Sequence, residues 1–439
     1  MDMELVKKYL LDWNQRVIPG PDYKERETAL KETSRIQTVI GARRVGKTSL
    51  LYNKIGNLLT SKVVSREQIL FLNLEDPLLY GVTFQDFKKI LEVHWSLFPQ
   101  SDSKKLYLFI DEPQTVHNWE KAVLSLHNEG TYGIFVTGSS SKLLSKEIAT
   151  SLRGKTRTTI LYPLSFREFC AFKGQSFDID GISTKQKASL MHSLDLYLRY
   201  GGYPEVVLED DEVEKSVLLK DFYDLTIYKD IVDRYAIKNT ALIRWLINYT
   251  VSCTAREISI NKVFTTLKSA GQKVSKNTLY EYFSMLEDCF FITNLRKHDN
   301  SVKNEGMSIP KVFLNDVGFL SLFSDHDYGK RLENTVAIEL MRRKAVRPLM
   351  KVNYWKSKDG KEVDFVVSQG NKVTQAIQVC YKFNDPSTRE RELSALVLCL
   401  DYCGLKEGLV ITRDYESAHR AGKKTIRVAP VWKWLLENK

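Results

Sequence analysis

The 439-residue sequence has no apolar run that approaches the roughly 18 residues a membrane-spanning helix needs. Its first nine residues already carry four charged side chains, so the apolar stretch of a signal peptide is missing there. The six cysteines form no Cys-x-x-Cys pair, and the seven histidines form no His-Glu-x-x-His cluster. These absences argue against a disulfide framework and a dedicated zinc site. We expect a cytoplasmic protein that does not enter a membrane.

Negative charge is scarce in the last part of the chain. Residues 330–439 hold 22 Lys and Arg against 13 Asp and Glu, which supplies +9 of the formal net charge of +11. A basic excess confined to one segment is typical of a protein that binds a phosphate-rich partner such as nucleic acid. A solvated, lysine-rich surface explains the same count. Charge alone leaves both interpretations open.

Short apolar runs alternate with helix-compatible segments in the first third of the chain, at Ile36–Ile40, Ile69–Leu74, Leu106–Ile110 and Gly133–Thr137. Continuous apolar runs of this length predict an α/β fold with a parallel sheet covered on both faces. The chain length predicts two to four domains. We place their boundaries at residues 1–162, 163–238, 239–328 and 329–439.

The later domains show different patterns. Residues 163–238 are helical in pattern, and Gly201, Gly202 and Pro204 predict a turn among the helices. Residues 239–328 predict three helices and then two strands, Phe290–Leu295 and Val312–Leu314. The first of these helices should bury one face, made of Leu242, Trp245, Leu246 and Tyr249. From Leu332 onwards we expect a helix, three strands, and again a helix and a strand; the three strands are Val352–Trp355, Val363–Val367 and Ala376–Val379.

The segment Gly41–Thr48 matches the phosphate-binding pattern Gly-x-x-x-x-Gly-Lys-Ser/Thr in full. It follows an apolar strand and opens an apolar helical segment, which is the context that this motif requires. Glycines let several backbone N–H groups point at a polyphosphate, and the lysine places a positive charge beside the terminal phosphates. We therefore predict that ATP is bound by Gly41, Arg43, Arg44, Val45, Gly46, Lys47, Thr48 and Ser49.

Two adjacent carboxylates, Asp111 and Glu112, end the apolar run Leu106–Ile110. We predict that Asp111 and the hydroxyl of Thr48 hold Mg²⁺, and that Glu112 orients or deprotonates the attacking water. The run Ile69–Leu74 leaves room for an extra strand between the P-loop strand and the Asp-Glu strand. That arrangement is typical of P-loop enzymes that hydrolyse ATP.

Two further positions complete the predicted catalytic set of Lys47, Glu112, Ser139 and Arg153. Ser139 or Ser140 follows the run Gly133–Thr137, where a small polar side chain is placed to contact the γ-phosphate or the water. A polar loop that caps the next helix is the alternative. Arg153 or Arg157 is suited to stabilise charge in the transition state. An ordinary surface arginine explains either residue as well.

The order of these motifs is similar to that of a large group of prokaryotic AAA-type ATP-binding proteins. The residues that carry the resemblance are Ile110–Glu112, Val136–Ser140, Leu152–Gly154, Pro163–Phe169, Tyr200–Glu205, Lys311–Gly318, Glu362–Phe365 and Ile377–Tyr381. The resemblance extends from about residue 30 over nearly the whole chain. It implies an AAA-like ATPase core, a helical lid, a winged helix and a restriction-endonuclease-like C-terminal domain of undefined function.

The implied winged helix offers a surface for DNA. Its third helix should begin after Ser275 and bury Leu279, Tyr282 or Phe283, and Leu286. The face with Lys276, Asn277 and Tyr280 is then free to meet a major groove, and cations of the hairpin are placed to bind phosphate; these are Arg296, Lys297 and Lys303. Acidic residues on the same helix would repel DNA, namely Glu281, Glu287 and Asp288. A plain protein-contact module therefore stays open as an alternative.

The implied nuclease-like domain departs from the usual metal-binding pattern. Asp364 fits the first carboxylate position, and Glu333 or Glu339 would add a carboxylate from a helix. The next strand, however, reads Gln378-Val379-Cys380 where Glu and Lys should stand. Lys382 lies one pleat repeat further along, roughly 6.6 Å away. Because a hard cation prefers clustered carboxylates, we expect a binding platform rather than an active nuclease.

The sequence therefore predicts an ATPase that couples its nucleotide state to a macromolecular partner, DNA. Two alternatives stay open: a slow ATP-dependent switch that serves as a signalling or defence scaffold, and an ATP-regulated nuclease. A homo-oligomer in which an arginine acts across a subunit boundary is compatible with all three.

Overall fold

A computed structural model describes residues 2–18, 23–101, 105–139, 152, 154–177, 179, 181–324 and 327–437 of the chain. The chain divides into two compact units, residues 1–161 and 162–439. The four finer domain boundaries given above remain predictions. None of the helices among the described residues has the length and the apolar character needed to cross a membrane.

The first unit contains a parallel five-stranded sheet, as predicted from the apolar runs. Its strands follow the spatial order β2-β3-β4-β1-β5 and cover Ile36–Ile40 (β1), Ile69–Asn73 (β2), Leu106–Asp111 (β3), Tyr132–Gly138 (β4) and Thr156–Ile160 (β5).

An extra strand does separate the P-loop strand β1 from the Asp-Glu strand β3, but it is β4. The segment around β2 lies beyond β3 instead, so its predicted position was wrong. Helical crossovers allow consecutive strands to skip a place in a parallel sheet, and chain order therefore does not give spatial order.

Helices cover this sheet and bury its apolar side chains. They span Met3–Asn14 (α1), Lys47–Thr60 (α2), Phe87–Leu97 (α3) and Trp119–Glu129 (α4). Helix α1 begins where the Asp2 carboxylate accepts the Glu4 N–H, and it buries Val6, Tyr9, Leu10 and Trp13 at helical spacing. Every residue of β1 and β3 is buried, which places the carboxyl ends of these strands on a fixed framework.

Helices open the second unit, in agreement with the predicted pattern. They span Phe166–Phe172 (α5), Thr184–Tyr200 (α6), Pro204–Leu208 (α7) and Glu212–Leu225 (α8), and a π-helical segment follows at Thr226–Asp233. The predicted turn lies between α6 and α7, where Gly201 has a φ of 75°. A Cβ on Gly201 would lie 1.8 Å from Asp316 Oδ1, so glycine is required for packing as well as for conformation.

Three helices and a small antiparallel sheet follow. The helices are Thr240–Ser252 (α9), Ile260–Ser269 (α10) and Lys276–Asp288 (α11), and the sheet has the order β6-β8-β7. Its strands are Arg256–Glu257 (β6), Ile292–Leu295 (β7) and Lys311–Leu314 (β8). The two predicted strands are thus present, whereas the short strand β6 and a helix in the polar connection, Val302–Met307 (α12), were not predicted.

The faces of these helices were predicted with mixed success. Helix α11 begins after Ser275, whose hydroxyl accepts the Thr278 N–H, and it buries the expected apolar side chains Leu279, Tyr282, Phe283 and Leu286. The predicted face of α9 was correct for Leu246 and wrong for Leu242, Trp245 and Tyr249. Its buried residues are Ile243, Leu246, Ile247, Thr250 and Val251. Trp245 is 36% exposed and stacks on Tyr249 with ring centroids 5.3 Å apart. These two aromatic residues have the spacing of a buried helix face, although their stack lies outside the core.

The last part of the chain forms a six-stranded mixed sheet of order β13-β14-β12-β11-β10-β9. Strands β9 to β11 are antiparallel, β11, β12 and β14 are parallel, and β13 pairs antiparallel with β14. The strands are Met350–Lys356 (β9), Glu362–Gln369 (β10), Lys372–Val379 (β11), Glu407–Thr412 (β12), Ser417–Ala421 (β13) and Lys424–Pro430 (β14). The helices are Tyr328–Ala345 (α13), Pro386–Cys403 (α14) and Val431–Leu436 (α15). The predicted order helix, three strands, helix and strand is present, and the final hairpin and helix are additions.

Candidate nucleotide-binding site

The P-loop connects the end of β1 to the start of α2. Gly46 has a φ of 93° and directly precedes α2, so the loop turns into the helix through a left-handed residue. A Cβ on Gly41 would lie 2.1 Å from the carbonyl oxygen of Leu161, which leaves room only for glycine there. Arg26 donates from Nη1 to the Val45 carbonyl oxygen at 2.8 Å and supports the loop from outside the motif.

Lys47 is buried inside the loop that its own motif builds. Its Nζ donates to the carbonyl oxygens of Gly41 at 3.2 Å and Ala42 at 3.0 Å. The same nitrogen lies 3.3 Å from Glu112 Oε1. The ammonium therefore faces the concave side of the loop, beside the second member of the acidic pair.

Asp111 links the P-loop helix to the centre of the sheet. Thr48 donates from Oγ1 to Asp111 Oδ2 at 2.7 Å, and the Thr137 hydroxyl donates to the other carboxylate oxygen. Burial raises the pKa of Asp111, and the hydrogen bonds from Thr137 and Thr48 offset part of that rise. The predicted Mg²⁺ ligands Thr48 and Asp111 are thus in direct contact.

Glu112 has a positive φ of 50° and is buried next to Asp111. Burial alone would raise its pKa, but Lys47 and a hydrogen bond from Gln114 outweigh burial and hold the pKa below its ordinary value. Its backbone N–H donates to Thr137 Oγ1 at 3.2 Å. Glu112 is therefore an ionised carboxylate whose two oxygens contact different side chains.

The remaining predicted site residues lie in different surroundings. Arg43 pairs with Glu75 at 3.3 Å, while Arg44 and Ser49 are exposed. Ser139 is fully buried directly after β4. Arg157 is exposed on the edge strand β5. The predictions for Ser140 and Arg153 fall outside the described residues.

Sequence reasoning missed three residues of this site. Thr137 contacts both acidic residues, Gln114 contacts Glu112, and Arg26 contacts the P-loop. The one available signal for Thr137 was its place at the end of a predicted strand, because ligands bind outside the carboxyl ends of strands in parallel sheets. Gln114 and Arg26 belong to no motif that the sequence displays.

The C-terminal carboxylates considered for a metal are arranged around another partner. Asp364 and Glu333 both contact Lys311, whereas Glu339 pairs with Arg342 and Arg343. Gln378 donates to Glu392 Oε2 at 2.6 Å, and Lys382 is exposed. Within the part of the chain that the structure describes, no three His, Cys, Asp or Glu side chains are grouped so as to hold a metal ion.

The chain resembles known proteins along most of its length. Residues 33–170 match the family described as AAA domain, and residues 191–327 and 328–434 match two families described as domains of unknown function, DUF8612 and DUF4143. An uncharacterized protein of Methanocaldococcus jannaschii is 36% identical over 92% of this chain and 88% of its own length. The chain belongs to the family of that protein.

A second similar protein comes from a bacterium. It is an uncharacterized protein of Haemophilus influenzae, 29% identical over 97% of this chain and 100% of its own length. Among solved structures, the ORC2 protein of Aeropyrum pernix in ADPNP and ADP complexes is 12% identical, with 66% of this chain and 86% of that chain covered and a TM-score of 0.37. The AAA match agrees with the predicted P-loop, so the first unit carries an AAA-type, nucleotide-binding ATPase domain.

Proposed function

We propose that this chain hydrolyses ATP and that its nucleotide state controls binding of a macromolecular partner, DNA. One observation carries the proposal: the two acidic residues at the end of β3 contact the first two residues of the P-loop helix. The Thr48 hydroxyl lies 2.7 Å from Asp111, and Lys47 lies 3.3 Å from Glu112. The groups that bind triphosphate and the groups that activate water are therefore adjacent on one sheet edge.

Each residue of this arrangement has a chemical task. Gly41 and Gly46 allow the backbone N–H groups to surround the phosphates, and Lys47 supplies a positive charge. Thr48 and Asp111 fit Mg²⁺, because a hydroxyl and a carboxylate in mutual contact are the oxygen ligands that a hard cation prefers. When bound, Mg²⁺ neutralises charge on the phosphate oxygens.

We assign to Glu112 the task of orienting and deprotonating water. One of its oxygens lies against Lys47 and the other accepts from Gln114. Phosphate oxygens are alternative acceptors for Lys47, so ATP binding exchanges the ion pair and releases one carboxylate oxygen for the water proton. The proton then resides on the Glu112 carboxyl until product release.

The proposed DNA surface lies on the helices α10 and α11, which we interpret as part of a winged helix. Residues 260–280 contain four lysines and no Asp or Glu, and all four lysines are exposed; they are Lys262, Lys268, Lys273 and Lys276. Asn277 and Tyr280 are exposed on the same helix as Lys276. Exposed lysines without acidic neighbours in the chain favour a polyanion over a neutral protein surface. The exposed Glu281, which directly follows this segment, would repel the phosphates of DNA.

We interpret the last sheet as a restriction-endonuclease-like domain that serves as a binding platform. The interpretation rests on the order α13, β9 to β11, α14 and β12. Nuclease chemistry through Asp364 is not favoured, because that carboxylate is engaged by Lys311 and by the Val379 N–H.

A slow nucleotide switch is the second candidate function. The contact between Lys47 and Glu112 favours it if the ion pair persists when ATP binds, since a general base held by a buried ammonium lowers basal turnover. The two functions differ in one measurable respect, which is whether DNA accelerates ATP hydrolysis.

The test is steady-state ATP turnover of the full chain, with and without duplex DNA, at two salt concentrations. We expect DNA to increase turnover at low salt and much less at high salt, because phosphate contacts weaken steeply with ionic strength. Glu112→Gln should lower turnover by about 100-fold or more while the protein still binds ATP. Glu92→Gln, at an exposed position of α3, is the matched control and should leave turnover unchanged.

Turnover that DNA leaves unchanged at both salt concentrations would favour the switch. Wild-type turnover in the Glu112→Gln variant would refute the assignment of the general base.

A further inference from the structure

Gln114 lies in a short turn that directly follows the acidic pair of β3. The turn is a 3₁₀ helix, Pro113–Thr115, and it begins at Glu112, whose φ is 50°. The Val116 N–H closes the turn by donating to the Pro113 carbonyl oxygen at 2.9 Å. Because proline fixes its own φ near −65°, the turn starts from a restricted backbone. The main chain thus holds Gln114 close to Glu112.

Neighbouring strands fix this turn from two sides. The Thr115 hydroxyl donates to the Leu74 carbonyl oxygen at 3.2 Å, just beyond the end of β2, and lies 3.3 Å from the Glu112 carbonyl oxygen. The Glu112 N–H donates to Thr137 Oγ1 at 3.2 Å, on β4. Strands β2 and β4 are the two neighbours of β3 in the sheet. The main chain of Glu112 is therefore anchored, and its side chain is the part that remains adjustable.

The Gln114 side chain contacts the Glu112 carboxylate. Its Nε2 donates to Glu112 Oε2, whereas Lys47 lies against the other oxygen, Oε1. The donor end of the amide must face an ionised carboxylate, because the carbonyl end would repel it. In the proposed exchange Lys47 turns to the phosphates, and the Gln114 contact is the one that stays. The last torsion of a glutamate is broad, so this contact limits how the freed carboxylate can turn.

The other polar atom of the Gln114 amide has no hydrogen-bond partner among the described residues. This atom, Oε1, is also shielded from solvent. A buried amide oxygen without a partner destabilises the fold, so a glutamine that serves only stability should use both ends of its amide. Here the described hydrogen bond of the amide goes to Glu112. The imbalance favours a role in the reaction over a role in the fold.

We propose that Gln114 is a positioning residue for ATP hydrolysis, which holds the Glu112 carboxylate in the orientation that receives the water proton after Lys47 turns to the phosphates. The inference rests on the proposed function and adds a residue to the same site. One oxygen of Glu112 stays with Gln114 while the other meets the water, and Gln114 itself neither gains nor loses a proton. Loss of the amide should therefore slow hydrolysis without weakening ATP binding.

The test is steady-state ATP turnover of the full chain with Gln114→Met, which keeps the length of the side chain and removes both polar atoms. We expect kcat to fall by about 10-fold or more with an unchanged KM for ATP, because a misdirected base slows only the chemical step. Gln85→Met is the matched control, at an exposed position of another 3₁₀ helix in the same unit, and should leave kcat unchanged. The melting temperature of Gln114→Met should not fall, since the unpartnered oxygen is removed as well.

A double variant separates positioning from a structural effect. Gln114→Met should not slow Glu112→Gln any further, because a residue that acts through Glu112 has no effect once the base is gone. If Gln114→Met folds only in part, turnover is divided by the number of ATP molecules bound at saturation, which counts the folded sites. A further loss in the double variant, as large as the loss that Gln114→Met causes alone, would overturn the proposal.

The same measurements distinguish this inference from the proposed function. Unchanged kcat in Gln114→Met together with a loss in Glu112→Gln would overturn the inference and leave the function in place. A raised KM with unchanged kcat would also overturn it, since Gln114 would then serve ATP binding. Absence of ATP turnover in the wild type would overturn both.

Discussion

Two buried lysines, Lys47 and Lys311, serve different ends because their partners differ. Lys47 contacts two backbone carbonyl oxygens and one carboxylate. Lys311 contacts three carboxylates. Neutral carbonyl partners are replaced by phosphate at moderate cost, whereas withdrawing an ammonium from three carboxylates leaves those buried carboxylates without a counter-charge. The groups that contact a buried lysine therefore decide, more than its burial does, whether its ammonium is available to bind a ligand.

The largest expected difference between the two lysines is in nucleotide binding. Lys47→Ala should weaken ATP binding by about 100-fold or more, because it removes charge-assisted hydrogen bonds to phosphate. Lys311→Met should leave ATP affinity unchanged. Isothermal titration calorimetry of both variants measures the difference, with Lys121→Ala at an exposed position of α4 as the control. Equal loss of affinity in the variants at residues 47 and 311 would show that the comparison is wrong.

The second expected difference is in stability and concerns the carboxylates around Lys311. Lys311→Met should lower the unfolding free energy of its unit by about 3 to 5 kcal/mol, because it leaves buried carboxylates without a counter-charge. Glu333→Gln should cost less, because burial and the charge of Asp364 already raise the pKa of Glu333 and so disfavour its charged form. Differential scanning calorimetry at pH 7 tests both variants. A loss in Glu333→Gln as large as that in Lys311→Met would mean that Glu333 is ionised.

The smallest expected effect comes from Asp316, a buried carboxylate that has backbone N–H groups as partners. Gly202 and Gly318 each donate to it at 2.8 Å, and burial raises its pKa to about 6. Its folded-state pKa thus exceeds the unfolded value, so the favourable contribution is complete below about pH 4 and is lost as pH rises through 6. The change amounts to at most about 3 kcal/mol.

Urea denaturation between pH 4 and 7 measures this dependence. The difference between the wild type and Asp316→Asn isolates the carboxyl, because all other titrating groups are shared. We expect the wild type to lose stability relative to the variant as pH rises. A constant difference across the range would indicate that Asp316 keeps an ordinary pKa.

Local motifs made much of the first unit predictable. The glycines, lysine and threonine of the P-loop are adjacent in sequence, and their neighbours give the strand and helix that the motif requires. Apolar runs likewise predicted the parallel sheet, because a strand that is buried on both faces has a continuous apolar pattern. Ser275 and the apolar spacing after it predicted helix α11 for a similar reason.

Contacts between distant residues account for what the sequence did not predict. Lys311 lies 53 residues from Asp364 and 51 from Glu362, and its own segment contains nothing that indicates carboxylate partners. The position of β4 between β1 and β3 depends on crossovers rather than on the strands themselves. Trp245 was predicted to be buried and is exposed, because an apolar pattern in the sequence does not distinguish an exposed aromatic stack from a buried one.

The close approach of Leu161 to Gly41 has a mechanical consequence. Leu161 ends the first unit, its N–H donates to the Ile40 carbonyl oxygen at 2.7 Å, and strand β5 before it pairs with β1 along its length. The backbone thus leaves the ATPase sheet beside the entrance of the P-loop, and Tyr162 follows by a single peptide bond. A larger residue at position 41 would therefore displace the last residue of the first unit as well as the phosphate-binding loop.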